Sequence, residues 1–200
     1  MITVRRAVVE DAAAMGALYV RVWQDVYPGI IPNETLLAMC PAVASERWEA
    51  AIRAAGGRRG ARVVEAGSAL AGIGNFGPNW DLDLAFDGEI FTLYVDPDHI
   101  GQGAGAALLS DMFATLLDAG MSSALVWTLS LSPHRFFYEA MGAKRVARKI
   151  ERIAGMPVEL SAYGWSDLGA VLGRYPPVRT SRLTKDASDN GLASQAGPLA

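Results

Sequence analysis

The sequence predicts a mixed α/β (α+β) domain with one parallel crossover. Three observations carry this prediction. Segments with strand and helix periodicity follow the order strand, helices, three strands, helix, strand, helix, two strands. One Gly-rich turn joins a β-branched and aromatic strand to a nearly all-apolar helix, the form of a β–α crossover. The chain's 200 residues, 51% hydrophobic and 20% charged, suit one globular unit and not a disordered chain.

Each element has its own signal. Residues 2–6 alternate apolar and polar side chains and read as a short strand. Asp11 can cap the helix that follows, where Met15, Leu18, Tyr19, Val22 and Val26 recur at helical spacing before Pro28-Gly29. Pro32-Asn33 opens a second helical stretch that Pro41 interrupts, and residues 43–55 are helical again up to Gly56-Gly57. Residues 62–66 and 70–75 form a hairpin about Gly67-Ser68, followed by a loop over 77–87. Residues 89–95 form a central strand, 104–119 the apolar helix and 124–129 a buried strand. Ser132 at the N-cap and Pro133 at the first helical position start a helix that ends at Gly142. Residues 143–152 and 156–163 make a ribbon turned by Ala154-Gly155. The domain is expected over 1–175, and 176–200, rich in Ser, Ala, Gly and Asp, as a disordered tail.

Composition removes several function classes. A formal net charge of -3 argues against sequence-independent nucleic-acid binding, which needs a basic face. No apolar run approaches the ~18 residues of a membrane span, and no signal-peptide pattern follows Met1. A single cysteine, Cys40, allows no internal disulfide and no multi-cysteine metal site. Cys40 reads as a small apolar filler, and neither His99 nor His134 has a carboxylate cluster that suggests a metal. The expected setting is the cytoplasm.

The chemistry concentrates between strand 89–95 and the apolar helix. Leu93-Tyr94-Val95-Asp96-Pro97 ends the strand, and Ile100-Gly101-Gln102-Gly103-Ala104-Gly105-Ala106 enters the helix. Glycines permit positive φ and close backbone approach, and a helix N-terminus presents free N–H groups and the positive dipole end. Together they can cradle a phosphate; the alternative is a tight turn without a ligand. A Walker loop is excluded because Gly105 is followed by Ala106-Ala107 and not Lys-Ser/Thr. A dinucleotide fingerprint is disfavoured by the G-x-G-x-G spacing and by Ser130, not an acid, after the next strand.

The segment resembles the acyl-CoA loop of the GNAT superfamily of N-acetyltransferases, Arg/Gln-x-x-Gly-x-Gly/Ala after a Tyr-Val-x-Pro-like strand end. Gly103, Gly105 and Tyr94-Val95-Asp96-Pro97 match, while Ile100 stands at the Arg/Gln position. Ser132-Pro133-His134-Arg135-Phe136-Phe137-Tyr138-Glu139-Ala140-Met141-Gly142-Ala143 is similar to the family's Asn-Pro-x-Arg-x-Phe-Tyr-Glu helix, with Ser132 for Asn. The likeness runs from Thr3 to about Asp167. It implies a mixed central sheet of about six to seven strands with helices on both faces.

The resemblance also implies roles. Acetyl-CoA is the co-substrate, with no metal, held by Leu93, Tyr94, Val95, Ile100, Gly101, Gln102, Gly103, Ala104, Gly105, Ala106, Ser132 and Arg135. Tyr138 is the general acid for the departing thiolate; a core tyrosine is the alternative. Glu89 could take a proton from an ammonium substrate or be an exposed strand-start residue. Trp23 and Tyr27, four apart on a helix, wall the acceptor pocket or pack in the core. Asp81, in the run with Asp83, Asp87 and Glu89, could attract a cationic amine or sit on a solvated loop. The implied reaction moves an acetyl group to a primary amine of a small molecule or peptide by direct attack. No nucleic-acid or membrane partner is expected, and a homodimer is left open. A non-catalytic acyl-CoA sensor is the rival, favoured by Ile100 and Ser132.

Overall fold

The structure is a computed structural model and describes residues 1–178; from 179 onward the expected tail lies outside the described residues. Seven strands form one sheet: β1 (Ile2–Arg6), β2 (Gly60–Ala66), β3 (Ala69–Pro78), β4 (Gly88–Val95), β5 (Ala124–Leu129), β6 (Lys144–Ile153) and β7 (Met156–Trp165). Their order is β1-β2-β3-β4-β5-β7-β6. Every neighbouring pair is antiparallel except β4 and β5, which are parallel. The crossover between them is α4 (Ala104–Asp118). The other helices are α1 (Ala12–Val26), α2 (Asn33–Leu37), α3 (Pro41–Arg53), α5 (Arg135–Ala140) and α6 (Leu168–Arg174).

Alternation along the strands sorts apolar side chains onto two faces. One face carries Val64, Ile90, Val126, Tyr163 and Trp165 against Leu108, Met112 and Phe113 of α4, with Leu168 and Val171 of α6. The opposite face carries Val63, Ile73, Leu129, Val158 and Leu160 against Met15, Leu18 and Val22 of α1 and Trp48 of α3. These are referred to below as the α4 face and the α1 face. Arg62 of β2 is buried beneath α4, where its guanidinium pairs with Asp111 at 2.5 Å and donates to Thr115 Oγ1 at 2.7 Å. That pair fixes the rotation of α4 on the sheet.

Several local expectations change. Pro41 begins α3 at its first position instead of interrupting a helix, because that N–H needs no intrahelical partner. Asp11 precedes α1, but its carboxylate accepts from Val8 N–H and from Arg5, so it closes the preceding 3-10 turn. Ser132-Pro133 form a turn and α5 starts at Arg135; the buried Ser132 hydroxyl accepts from His134 N–H at 3.3 Å. Cys40 is exposed at the N-cap of α3 and fills no core position. No described helix is long and apolar enough to cross a membrane.

Candidate active site

The parallel pair β4–β5 is short. Gly88, Glu89 and Ile90 pair with Ala124, Leu125 and Val126, and the strands then part. A bulge accompanies the parting: Asn75 pairs with Thr92 and Phe76 with Ile90, so Phe91 is the extra residue. β5 continues beside β7 as far as the Leu129–Leu160 pair. The β5-facing edge of β4 from Phe91 to Val95 is therefore left without a strand partner. A cleft of about 370 Å³ occupies the gap.

The cleft opens onto both faces of the sheet. Leu93, Val95, Val126, Phe137 and Tyr138 belong to the α4-face core, whereas Trp23, Tyr27, Tyr94, Trp127 and Leu160 belong to the α1-face core, and all ten line it. Glu89 pairs with Leu125, one residue before Ile90 and Val126, which places its side chain on the α1 face.

On the α4 side the Gly-rich turn lines the cleft with Gly101, Gly103, Gly105 and Ala106. Gly101 and Gly103 have φ of 80° and 86°, the left-handed region that L side chains avoid, and a Cβ at either would meet nothing within 4 Å. The first helical bond of α4 runs from Ala107 N–H to Gly103 O, so the N–H groups of Ala104, Gly105 and Ala106 have no intrahelical acceptor. Asp96 anchors the turn by accepting from Asp98 N–H at 2.9 Å. Arg21 of α1 clamps it from outside through Asp96 and Asp98, each at 2.7 Å. Ile100 is 55% exposed at the cleft mouth. His99 also lines the cleft, with a buried Nδ1 that has no hydrogen-bond partner among the described residues.

Tyr138 is buried on α5, stacked on Tyr163 at 6.3 Å and edge-on to Trp165 at 6.1 Å. Burial, and to a smaller degree the nearby Tyr27 hydroxyl, raises its pKa well above that of a free tyrosine, so it keeps its proton. Glu89 is 6% exposed and its Oε2 accepts from Trp80 N–H at 3.4 Å. Its pKa is pushed up to about 7, mainly by desolvation, with the Trp80 hydrogen bond and Lys149 opposing. The Tyr94 hydroxyl accepts from Trp23 Nε1 at 3.0 Å, and Trp23 meets Tyr27 edge-on at 5.0 Å.

The structure therefore brings together Trp23, Tyr27, Glu89, Leu93, Tyr94, Val95, Ile100, Gly101, Gly103, Gly105, Ala106 and Tyr138. Gln102, Ala104, Asp81, Ser132 and Arg135 lie outside the lining. The Gln102 side chain donates to Asp98 O, and Arg135 donates to Ser130 and Ser132 carbonyls, so both stabilise turns. Asp81 sits in the 79–87 loop, whose Phe86 packs on Gly164. No sequence motif points to the lining residues Trp127, Lys149 and Glu151. Trp127 lies on β5 just past the split, and Lys149 and Glu151 reach the cleft because β7 and β6 continue the sheet beside that end of β5. Alternation on the ribbon was the one available signal.

A seven-stranded mixed sheet split at its parallel pair, with a Gly-rich helix start at the split, defines a class of α/β folds that open a cleft between two parallel strands. The family model for the acetyltransferase (GNAT) family matches residues 23–143, and the chain belongs to that family. An uncharacterized N-acetyltransferase of Bacillus subtilis, YuaI, is 34% identical over 173 residues, covering 86% of this chain and 96% of its own. Two solved structures share the fold. YncA from Salmonella typhimurium, a putative acetyltransferase with its cofactor acetyl-CoA, has TM-score 0.59 and 20% identity over 84% of this chain and 94% of its own. The PaiA N-acetyltransferase of Thermoplasma acidophilum, in complex with coenzyme A, has TM-score 0.62 and 17% identity over 80% and 98%.

Proposed function

We propose that this protein transfers the acetyl group of acetyl-CoA to a primary amine, with the thioester crossing the sheet through the β4–β5 split. The observation that carries the reading is the two-sided lining of one cleft. Free N–H groups and a protonated tyrosine stand on the α4 face, and a buried carboxylate stands on the α1 face.

The residues fit an acyl-CoA chemically. Three N–H groups at the N-terminus of α4, beside two glycines without Cβ atoms, suit a pyrophosphate. The unpaired edge of β4 from Phe91 to Val95 offers backbone donors to polarise an acyl carbonyl. Glu89, directly or through water, takes a proton from the ammonium, and the free amine attacks the acetyl carbon. The C–N bond forms as the C–S bond breaks, the Tyr138 hydroxyl gives its proton to the sulfur, and the nitrogen's remaining excess proton returns through water to the Tyr138 oxygen, which leaves a neutral amide, free CoA thiol and a protonated tyrosine. A carboxyl group that titrates near neutral pH and a tyrosine held protonated have the protonation states these two roles require. A cytoplasmic setting suits a chain with one exposed cysteine.

The test is acetyl-CoA-dependent release of free CoA over a panel of primary amines, alongside thermal stabilisation by acetyl-CoA. Stabilisation together with amine-dependent release is expected. Stabilisation without release over the whole panel would favour the sensor reading, and the absence of both effects would refute acyl-CoA binding.

A further inference from the structure

We infer that the acceptor is a small primary amine on an apolar body that carries no carboxylate of its own. This rests on the acetyl-transfer reading above and concerns the α1-face half of the same cleft.

That half is walled by apolar and aromatic groups. Trp23 comes from α1, Tyr27 from the residue that caps its C-terminus, and Trp127 from β5. The ribbon supplies the far wall. Pairing of Lys149 with Leu160 and of Glu151 with Val158 puts both side chains on the α1 face, and Ile153 follows in the same alternation.

Three charged side chains remain: Glu89, Glu151 and Lys149, the one Lys or Arg among the described lining residues. Lys149 is already engaged. Its Nζ lies 2.7 Å from Glu151 and 4.1 Å from the centroid of the Trp127 ring. A substrate carboxylate entering here would face Glu89 and Glu151 and would have to break that pair. Among the described lining residues there is no arginine to offer it a bidentate partner. An ammonium group meets two carboxylates instead, and an apolar body gains by burial against the tryptophans. A second ammonium, as in a diamine, would find Glu151 and the Trp127 ring already taken by Lys149 and the rest of the wall apolar, and would lose its hydration. The favoured acceptors are thus arylalkyl and branched alkyl monoamines, and the disfavoured ones are zwitterionic amino acids.

The experiment compares CoA release by the full chain with phenethylamine, phenylalanine, phenylalaninamide and putrescine, with acetyl-CoA thermal stabilisation as the control. Phenethylamine and phenylalanine differ only in the carboxylate. We expect kcat/KM for phenethylamine to exceed that for phenylalanine by about 100-fold, the size of an unfavourable like-charge placement. Phenylalaninamide should fall close to phenethylamine, and putrescine well below. Glu151→Gln releases Lys149 from its partner and should raise phenylalanine relative to phenethylamine by about tenfold. Acetyl-CoA stabilisation with phenylalanine used as well as phenethylamine, with putrescine preferred, or with phenethylamine not acetylated, overturns this inference and leaves acyl-CoA binding standing. Loss of acetyl-CoA stabilisation as well overturns the acetyl-transfer reading with it.

Discussion

Ile90 and Val126 form the last rung between β4 and β5, and the cleft opens beyond that rung, with Val126 and the preceding Glu89 in its wall. Phe91, bulged out of register with β3, bends β4 away at that step. The parting leaves one strand edge open while both strands stay anchored to their other neighbours. A site built this way is held by the sheet, and the turn into α4 closes one end of it.

The Gly-rich turn should be needed for acetyl-CoA and not for folding. Gly103→Asp puts a carboxylate where free N–H groups gather, in a left-handed position with empty space around it. The backbone cost is about 1 kcal/mol. We expect a native circular dichroism spectrum and loss of acetyl-CoA-induced stabilisation. Because Ile100 is exposed at the cleft mouth, Ile100→Arg should tighten acetyl-CoA binding a few-fold, measurable by calorimetry.

Glu89 should make both rate and stability depend on pH near neutrality. Acting as a base, it is active when ionised, so kcat/KM should rise to a plateau above about pH 7, and Glu89→Gln should remove this limb. Stability moves the other way. Below its ordinary value of 4.5 the group is protonated in both states; between there and about 7 the unfolded chain loses the proton and the folded chain keeps it. Stability therefore falls as pH rises through that window and is flat beyond it. Glu89→Gln escapes the fall, so at pH 8 its unfolding free energy should exceed wild type by up to about 3 kcal/mol, with no difference below pH 4.5. Denaturant titrations at the two pH values check this.

Arg62 and Asp111 tie α4 to the sheet at a buried site. Asp111→Ala leaves the guanidinium without its carboxylate beneath the helix. We expect a loss of about 3 kcal/mol and a Tm about 10 °C lower. Asp111→Asn keeps an acceptor and should lose roughly half as much. Equal stability of Asp111→Ala and wild type in a thermal melt would show that Thr115 and the Phe76 ring suffice.

The sheet and its single crossover were legible because period-two segments and turn glycines mark them directly. The helix α6 was not anticipated: Leu168, Val171 and Leu172 have helical spacing, but seven residues with two glycines carry little propensity. Its readable signal was Asp167, whose carboxylate accepts from Ala170 N–H at 2.9 Å. The Gly turn and Tyr138 were legible from local motif. Burial of Glu89 was not, because a strand-start carboxylate is exposed or enclosed according to which strand leaves its neighbour. Lys149 and Glu151 read as ribbon charges until β6 is seen to reach the split. Asp81 shares a loop with Trp80, whose N–H touches Glu89, yet its own side chain stays out of the lining.

The account turns on Tyr138 as a proton donor at the α4-face side of the cleft. Tyr138→Phe removes one oxygen and keeps the ring that stacks on Tyr163 and meets Trp165. The direct measurement is kcat of this variant on an accepted amine, with acetyl-CoA affinity determined in parallel. The account predicts kcat lower by about 10²-fold or more, affinity within a few-fold, and partial recovery with an acyl donor whose thiol leaves more easily. Wild-type kcat in Tyr138→Phe, with the chemical step shown to limit the rate, would contradict it and return Tyr138 to the core.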